Sequence, residues 1–258
     1  MTSRSRADMA GAGGLRCAIS WPVFNRLPLL LCVTMLAACA TQSTAPGRQA
    51  GGFQPSQLAK TDIDRVAEAH QREVFNNLKL LAEKLYRRNP RELKKGGAAS
   101  VEAGLARIFE GRHQWKFPEL QGKRGTDAIY LTFREDYAGD RVLAFVAGLG
   151  SMMQTAFNDK TEFFVLDDLD PQRLYNAARN VEIAVWKLSN TRAAHGEFFL
   201  LSNETAGPLR NLSFEREFGK IIGSLDVLSK IIADKENRTI VKVIQSLATA
   251  VFLPMKIP

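Results

Sequence analysis

The stretch from Thr61 to Arg88, TDIDRVAEAHQREVFNNLKLLAEKLYRR, spaces Ile63, Val66, His70, Val74, Leu78, Leu81 and Leu85 three or four residues apart. That interval matches the α-helical repeat, so these side chains share one apolar stripe. Thr61 or Asp62 stands where a cap is needed. Asn89-Pro90 ends the run, because the residue before a proline is pushed out of the helical region. One long helix with one apolar face requires other helices to cover it.

The same period recurs downstream. Asn89 is placed to cap a short helix that starts at Pro90 with Glu92 in its first turn, and Ser100 caps another from Val101 to about Glu110. Thr126 to Phe133 reads as a short helix or a strand. Asp140 to Asn158 is apolar on most of its surface, which places it in the centre of a core, with Gly148 and Gly150 admitting close neighbours. Asp170 caps a helix carrying Leu174, Ala178, Val181, Val185 and Leu188. Ser213 caps one carrying Phe214, Phe218, Ile221, Leu225, Leu228 and Ile232, and Ile240 to Leu253 reads as a final core helix. Thr161–Leu166 (TEFFVL) and Gly196–Leu201 (GEFFLL) are β-like in composition and are expected to pair as a ribbon. The fold class is mainly α: a single-domain bundle of six to seven helices with a small two-stranded β ribbon.

Upstream of the first helix lies Leu27 to Ala38, apolar and uncharged, with Arg16 and Arg26 before it. A spanning helix needs roughly 20 apolar residues, so this run is too short to cross and stay. It fits a secretory signal, beginning at Met1 or Met9. It ends in Leu36-Ala37-Ala38-Cys39, which resembles the lipobox of bacterial lipoproteins. The resemblance implies cleavage between Ala38 and Cys39, three acyl chains on Cys39, and an anchor that holds stably. Ala40 follows where a retention signal in the inner membrane would have Asp, which favours the outer membrane, facing the periplasm. The expected organisation is a signal peptide over 1–38, a tether over 39–57 rich in Gln, Ser, Thr, Pro and Gly, and a helical periplasmic domain over 58–258.

The apolar fraction of 45% supports a packed core. Cys17 and Cys32 leave with the signal and Cys39 is consumed by lipid, so the mature chain has no disulfide. The formal charge is +8; residues 1–38 carry Arg4, Arg6, Arg16 and Arg26 against Asp8, which leaves +5 on the rest. Residues 84–124 concentrate it, with eleven Lys or Arg against four Glu. Arg87, Arg88, Arg91, Lys94 and Lys95 form the candidate basic binding face. It would attract an acidic envelope protein or an anionic envelope surface over about 8–10 Å at ordinary salt. Nucleic acid is excluded as a partner by the expected compartment.

Patterns that carry catalysis are missing. There is no His-Glu-x-x-His, no Gly-x-Ser-x-Gly elbow and no available thiol, and no residue pattern calls for a cofactor or a metal. His70 falls on the apolar stripe and reads as a core histidine. Asp167, Asp168 and Asp170 precede a helix and read as caps. Asp127, Glu135 and Asp136 form a second acidic group. In His113-Gln-Trp115-Lys-Phe117-Pro, the rings face either a headgroup layer or the core, and their size favours the core. The expected function is that of a non-enzymatic, membrane-anchored envelope lipoprotein that binds a partner or envelope component. The alternatives are a periplasmic carboxylate-dependent hydrolase, with catalytic pairs drawn from Asp127, Glu135, Asp167 and Asp168, and a carrier of lipid or small apolar ligands.

Overall fold

A computed structural model describes residues 60–111, 113–204, 208, 210–244 and 246–255. The signal segment 1–38, the lipobox with Ala38 and Cys39, and the tether 39–57 lie outside the described residues. Seven α-helices occur among the described residues: α1 (Asp62–Arg88), α2 (Pro90–Lys95), α3 (Val101–Phe109), α4 (Gly125–Thr132), α5 (Arg141–Ala156), α6 (Pro171–Asn190) and α7 (Ser213–Glu236). A 3-10 turn, Pro118–Leu120, precedes α4. No described helix is long and apolar enough to cross a membrane.

Thr61 starts α1 with a reciprocal cap. Its hydroxyl accepts from the Asp64 amide, and the Asp64 carboxylate accepts from the Thr61 amide at 2.7 Å. The stripe faces inward from Val74 onward. In the first turns the buried positions are Asp64, Ala67 and Gln71 rather than Ile63, Val66 and His70. The helix is rotated there because Gln71 reaches the Lys160 carbonyl and Glu68 accepts from the Phe163 amide. His70 is half-buried, with Nδ1 2.7 Å from the Ser224 hydroxyl on α7.

At the centre stands α5, where every residue except Gln154 and Thr155 is buried. It packs on α1, α4 and α6, while α7 closes the bundle against α1 and α6. Two glycines set its spacing. A Cβ on Gly148 would lie 2.8 Å from the Gly125 carbonyl oxygen on α4, and one on Gly150 would lie 2.3 Å from the Trp115 indole. Two carboxylates cover its N-terminus. Asp140 accepts from the Leu143 amide, and Glu92 on α2 accepts from the Arg141 amide, opposing the positive end of the helix dipole.

Several sequence expectations are corrected. The ribbon does not form: no strand occurs among the described residues, only isolated bridges Arg192–Phe198 and Glu204–Asn211. Side chains supply what a paired strand would have supplied. Glu68 takes the Phe163 amide, Asp167 takes the Phe164 amide, and Asn89 both accepts from the Leu201 amide and donates to its carbonyl. Asn89 therefore does not cap α2; its amide also returns to the Leu85 carbonyl. Ser213 is the first residue of α7 rather than its cap, and its amide is taken by Asn211.

The expected helix Ile240–Leu253 is instead an irregular strap along α6. Gln172, Asn176 and Asn180, one helical turn apart on α6, hold it. Gln172 bonds both the amide and the carbonyl of Val241, Asn180 does the same for Leu253, and Asn176 donates to the Pro254 carbonyl. Phe252 reaches α4, edge-on to Tyr130 at 5.1 Å. β-branched residues at Thr239, Ile240, Val241, Val243 and Ile244 lower helix propensity, and the amide side chains meet the backbone needs that a helix would meet internally.

Candidate functional site

A cleft of about 690 Å³ opens between α1, the end of α3, the 111–115 loop and the turn after α5. Its volume falls in the range of small-molecule sites, roughly 300–1,000 Å³. One wall is aromatic. Phe75 of α1 stacks on Trp115 with centroids 5.8 Å apart, and Phe109 of α3 meets Trp115 edge-on at the same distance. Trp115 is 9% exposed and Phe117 is buried, so the loop turns its rings inward while Lys116 faces solvent.

The rest of the lining is largely polar. Gln71 and Gln154 both donate to the Lys160 carbonyl, at 2.6 and 2.9 Å, and so pin the 158–161 turn between α1 and α5. Arg124, the residue before α4, reaches Asp159 at 3.3 Å, and its Nε is buried without a hydrogen-bond partner. Arg72 and Asn76 stand exposed at the rim beside these groups.

Backbone strain borders the cleft on both sides. Gln114 and Trp115 have φ of 49° and 59°, and Asn158 and Asp159 both have 57°. The left-handed region suits asparagine but is unfavourable for a residue as bulky as Trp. Strain of this kind, of order 1–3 kcal/mol per residue, persists where surrounding contacts over-determine it and clusters at ligand sites. His113 holds the loop: Nδ1 accepts from the Trp115 amide at 2.9 Å, and Nε2 lies 2.8 Å from the Ile108 carbonyl. The accepting role of Nδ1 places the proton on Nε2, which donates to Ile108. Both ring nitrogens are thus engaged, and Asp159, the one carboxylate among the described residues that line the cleft, is paired with Arg124.

The candidate basic face is partly neutralised. Arg87 pairs with Glu83 at 2.8 Å, Arg88 with Glu204 at 2.9 Å and Lys95 with Glu92 at 2.6 Å. Arg91 and Lys94 are exposed, with no ion pair to any described residue. A second cavity of about 540 Å³ lies beside them, lined by Arg88, Arg91 and Arg192, the last stacked over Phe198 at 3.8 Å.

The acidic groups named from the sequence make separate contacts. Asp127 is exposed, Glu135 accepts from the Ala194 amide, and Asp136 pairs with Arg134. Asp170 caps α6, and Lys160 holds the Asp167 carboxyl below the usual carboxylate range. Asp168 meets a residue that the sequence did not suggest, Glu236 at the end of α7. Burial and the Asp168 carboxyl together push Glu236 up to about 7. Arg238 clamps both, at 3.4 and 3.1 Å. Glycosidic carboxyls flank a substrate at about 5–9.5 Å, whereas these two are in hydrogen-bond contact. No group of three His, Cys, Asp or Glu among the described residues is arranged to hold a metal ion.

No protein family, no curated protein and no solved structure matches the chain.

The cleft draws on five separate segments. Only the interleaved His113–Phe117 run signals it in the sequence; Arg72, Asn76, Arg124, Gln154 and Asp159 carry no local pattern.

Proposed function

We propose that this chain is a bacterial envelope lipoprotein, anchored through Cys39 to the outer membrane and facing the periplasm, whose helical domain binds a small envelope component without chemically altering it. The lipobox Leu36-Ala37-Ala38-Cys39 supports the anchor. The observation that carries the binding role is the cleft, with its aromatic wall, its cationic rim and the engagement of His113 and Asp159 in fixed contacts. A general acid or base needs a free site on the ring or carboxyl and a reachable proton. Here the titratable groups are used to hold the loop and the turn in place.

Native mass spectrometry of the chain extracted from membranes tests both parts. The expected spectrum carries the acyl mass on Cys39, absent in Cys39→Ser, together with a retained small molecule that is lost in Phe75→Ala. A spectrum with an unmodified Cys39 removes the anchor, and one with no retained mass in wild type removes the binding role.

A further inference from the structure

The cleft sorts its lining by chemistry, and this limits what it can hold. The Phe75–Trp115 stack offers a flat apolar wall whose Phe75 face remains half-exposed. In the same lining, Arg72, one turn from Phe75 on α1, has no ion pair among the described residues, and Arg124 has the 3.3 Å contact to Asp159. Two guanidinium groups against one carboxylate leave the polar wall net positive, because His113 holds its single proton on Nε2. Exposed Asn76 and Gln114 add neutral donors and acceptors at the rim.

We infer that the cleft binds a small amphipathic anion, with an apolar ring laid against Phe75 and Trp115 and a carboxylate or phosphate received by Arg72 and Arg124. This rests on the cleft being a ligand site. Arginine suits the task because its planar fork meets carboxylate or phosphate oxygens in pairs. A ring matches the wall better than a long acyl chain because a cleft of this size closes around ligands of drug-like dimensions. His113 fixes the loop, and Gln71 and Gln154 fix the 158–161 turn, before any ligand arrives, so little ordering is required on binding.

The test uses the full chain in lipid nanodiscs, with empty nanodiscs as blanks, and isothermal titration of four probes: 2-naphthoate, 2-naphthyl phosphate, neutral 2-naphthalenemethanol and cationic 2-naphthylmethylammonium. The two anions are expected to bind at least tenfold more tightly than the alcohol, with the ammonium weakest. The anion advantage is expected to vanish in Arg72→Gln/Arg124→Gln while binding of the alcohol is unchanged. Phe75→Ala should weaken all four probes. The ratio of the two anions tells a carboxylate source from a phosphate source. Equal binding of anion and alcohol, still sensitive to Phe75→Ala, overturns the charge assignment and leaves the cleft as a ligand site. Anion binding that ignores both arginine replacements overturns it as well. No binding of any probe overturns both this inference and the binding role.

Discussion

The indole of Trp115 lies against the backbone of Gly150, so close that a Cβ on Gly150 would sit 2.3 Å from the ring. The absence of a side chain at one position of α5 is what lets the aromatic wall of the cleft sink into the bundle. The tertiary role of this glycine thereby outweighs its cost to the helix, about 1 kcal/mol against Ala.

Gly150→Ala should therefore displace Trp115. Overpacking of about 1–3 kcal/mol exceeds the propensity gained, so Tm falls and the Trp115 emission shifts to the red. Gly219 and Gly223 on α7 provide the contrast, since a Cβ at either meets nothing within 4 Å. Gly219→Ala and Gly223→Ala are expected to stabilise by about 0.5–1 kcal/mol each in thermal unfolding. A Gly150→Ala protein that gains stability as these two do would contradict the account of Trp115 packing.

Asp140 makes stability pH-dependent. Its carboxyl is buried at the start of α5, accepts from the Tyr86 hydroxyl at 2.8 Å, and faces Glu92 and Tyr137. Burial pushes it up from 3.8 to about 6. An acid whose folded pKa is raised holds its proton more tightly in the fold. Its contribution is thus fully present below about pH 4, is lost as pH rises towards 6, and amounts to about 3 kcal/mol between the limits. Asp140→Asn keeps the cap and can still bond Tyr86. The difference between wild-type and Asp140→Asn denaturation curves should therefore turn in favour of the variant across pH 4–6. Parallel curves over that range would mean that Asp140 titrates normally.

Asn180 is fully buried and spends its amide on both backbone groups of Leu253. Asn180→Ala leaves that amide and carbonyl without partners, at about 1–3 kcal/mol for each group that stays buried. Hydrogen exchange over residues 250–255 should accelerate well beyond the exchange of α5. If the strap exchanges at its wild-type rate, the amide ladder on α6 does not hold it.

On the basic face, Arg91 and Lys94 are exposed and form no ion pair with any described residue, while Arg87, Arg88 and Lys95 are engaged by carboxylates. Arg91→Gln/Lys94→Gln should weaken capture by vesicles containing phosphatidylglycerol several-fold more than Arg87→Gln/Lys95→Gln does, and added salt should erase the difference. Equal losses from the two variants would show that pairing is irrelevant to this face.

Long periodic segments made most of the bundle readable in advance. Leu78, Leu81 and Leu85 on α1, and Leu174, Val181 and Leu188 on α6, are buried as their spacing requires. Thr61, Ser100 and Asp170 cap the helices assigned to them. Short apolar stretches were ambiguous because composition cannot say where backbone hydrogen bonds will end. TEFFVL and GEFFLL have the residues of strands, but Glu68 and Asn89 reach them from α1 and its end. Ile240–Leu253 has the apolarity of a core helix, yet Ile244 is 99% exposed and the segment leans on three amides of α6.

The sequence by itself determined the long helices, the caps at Thr61, Ser100 and Asp170, and the central place of α5. These are local properties, set by neighbours within one or two helical turns. Only the tertiary structure decided the cleft, the strap and which charges remain unpaired. Each depends on side chains tens of residues apart meeting within about 3–4 Å, and such meetings are set by how whole helices pack rather than by any local pattern.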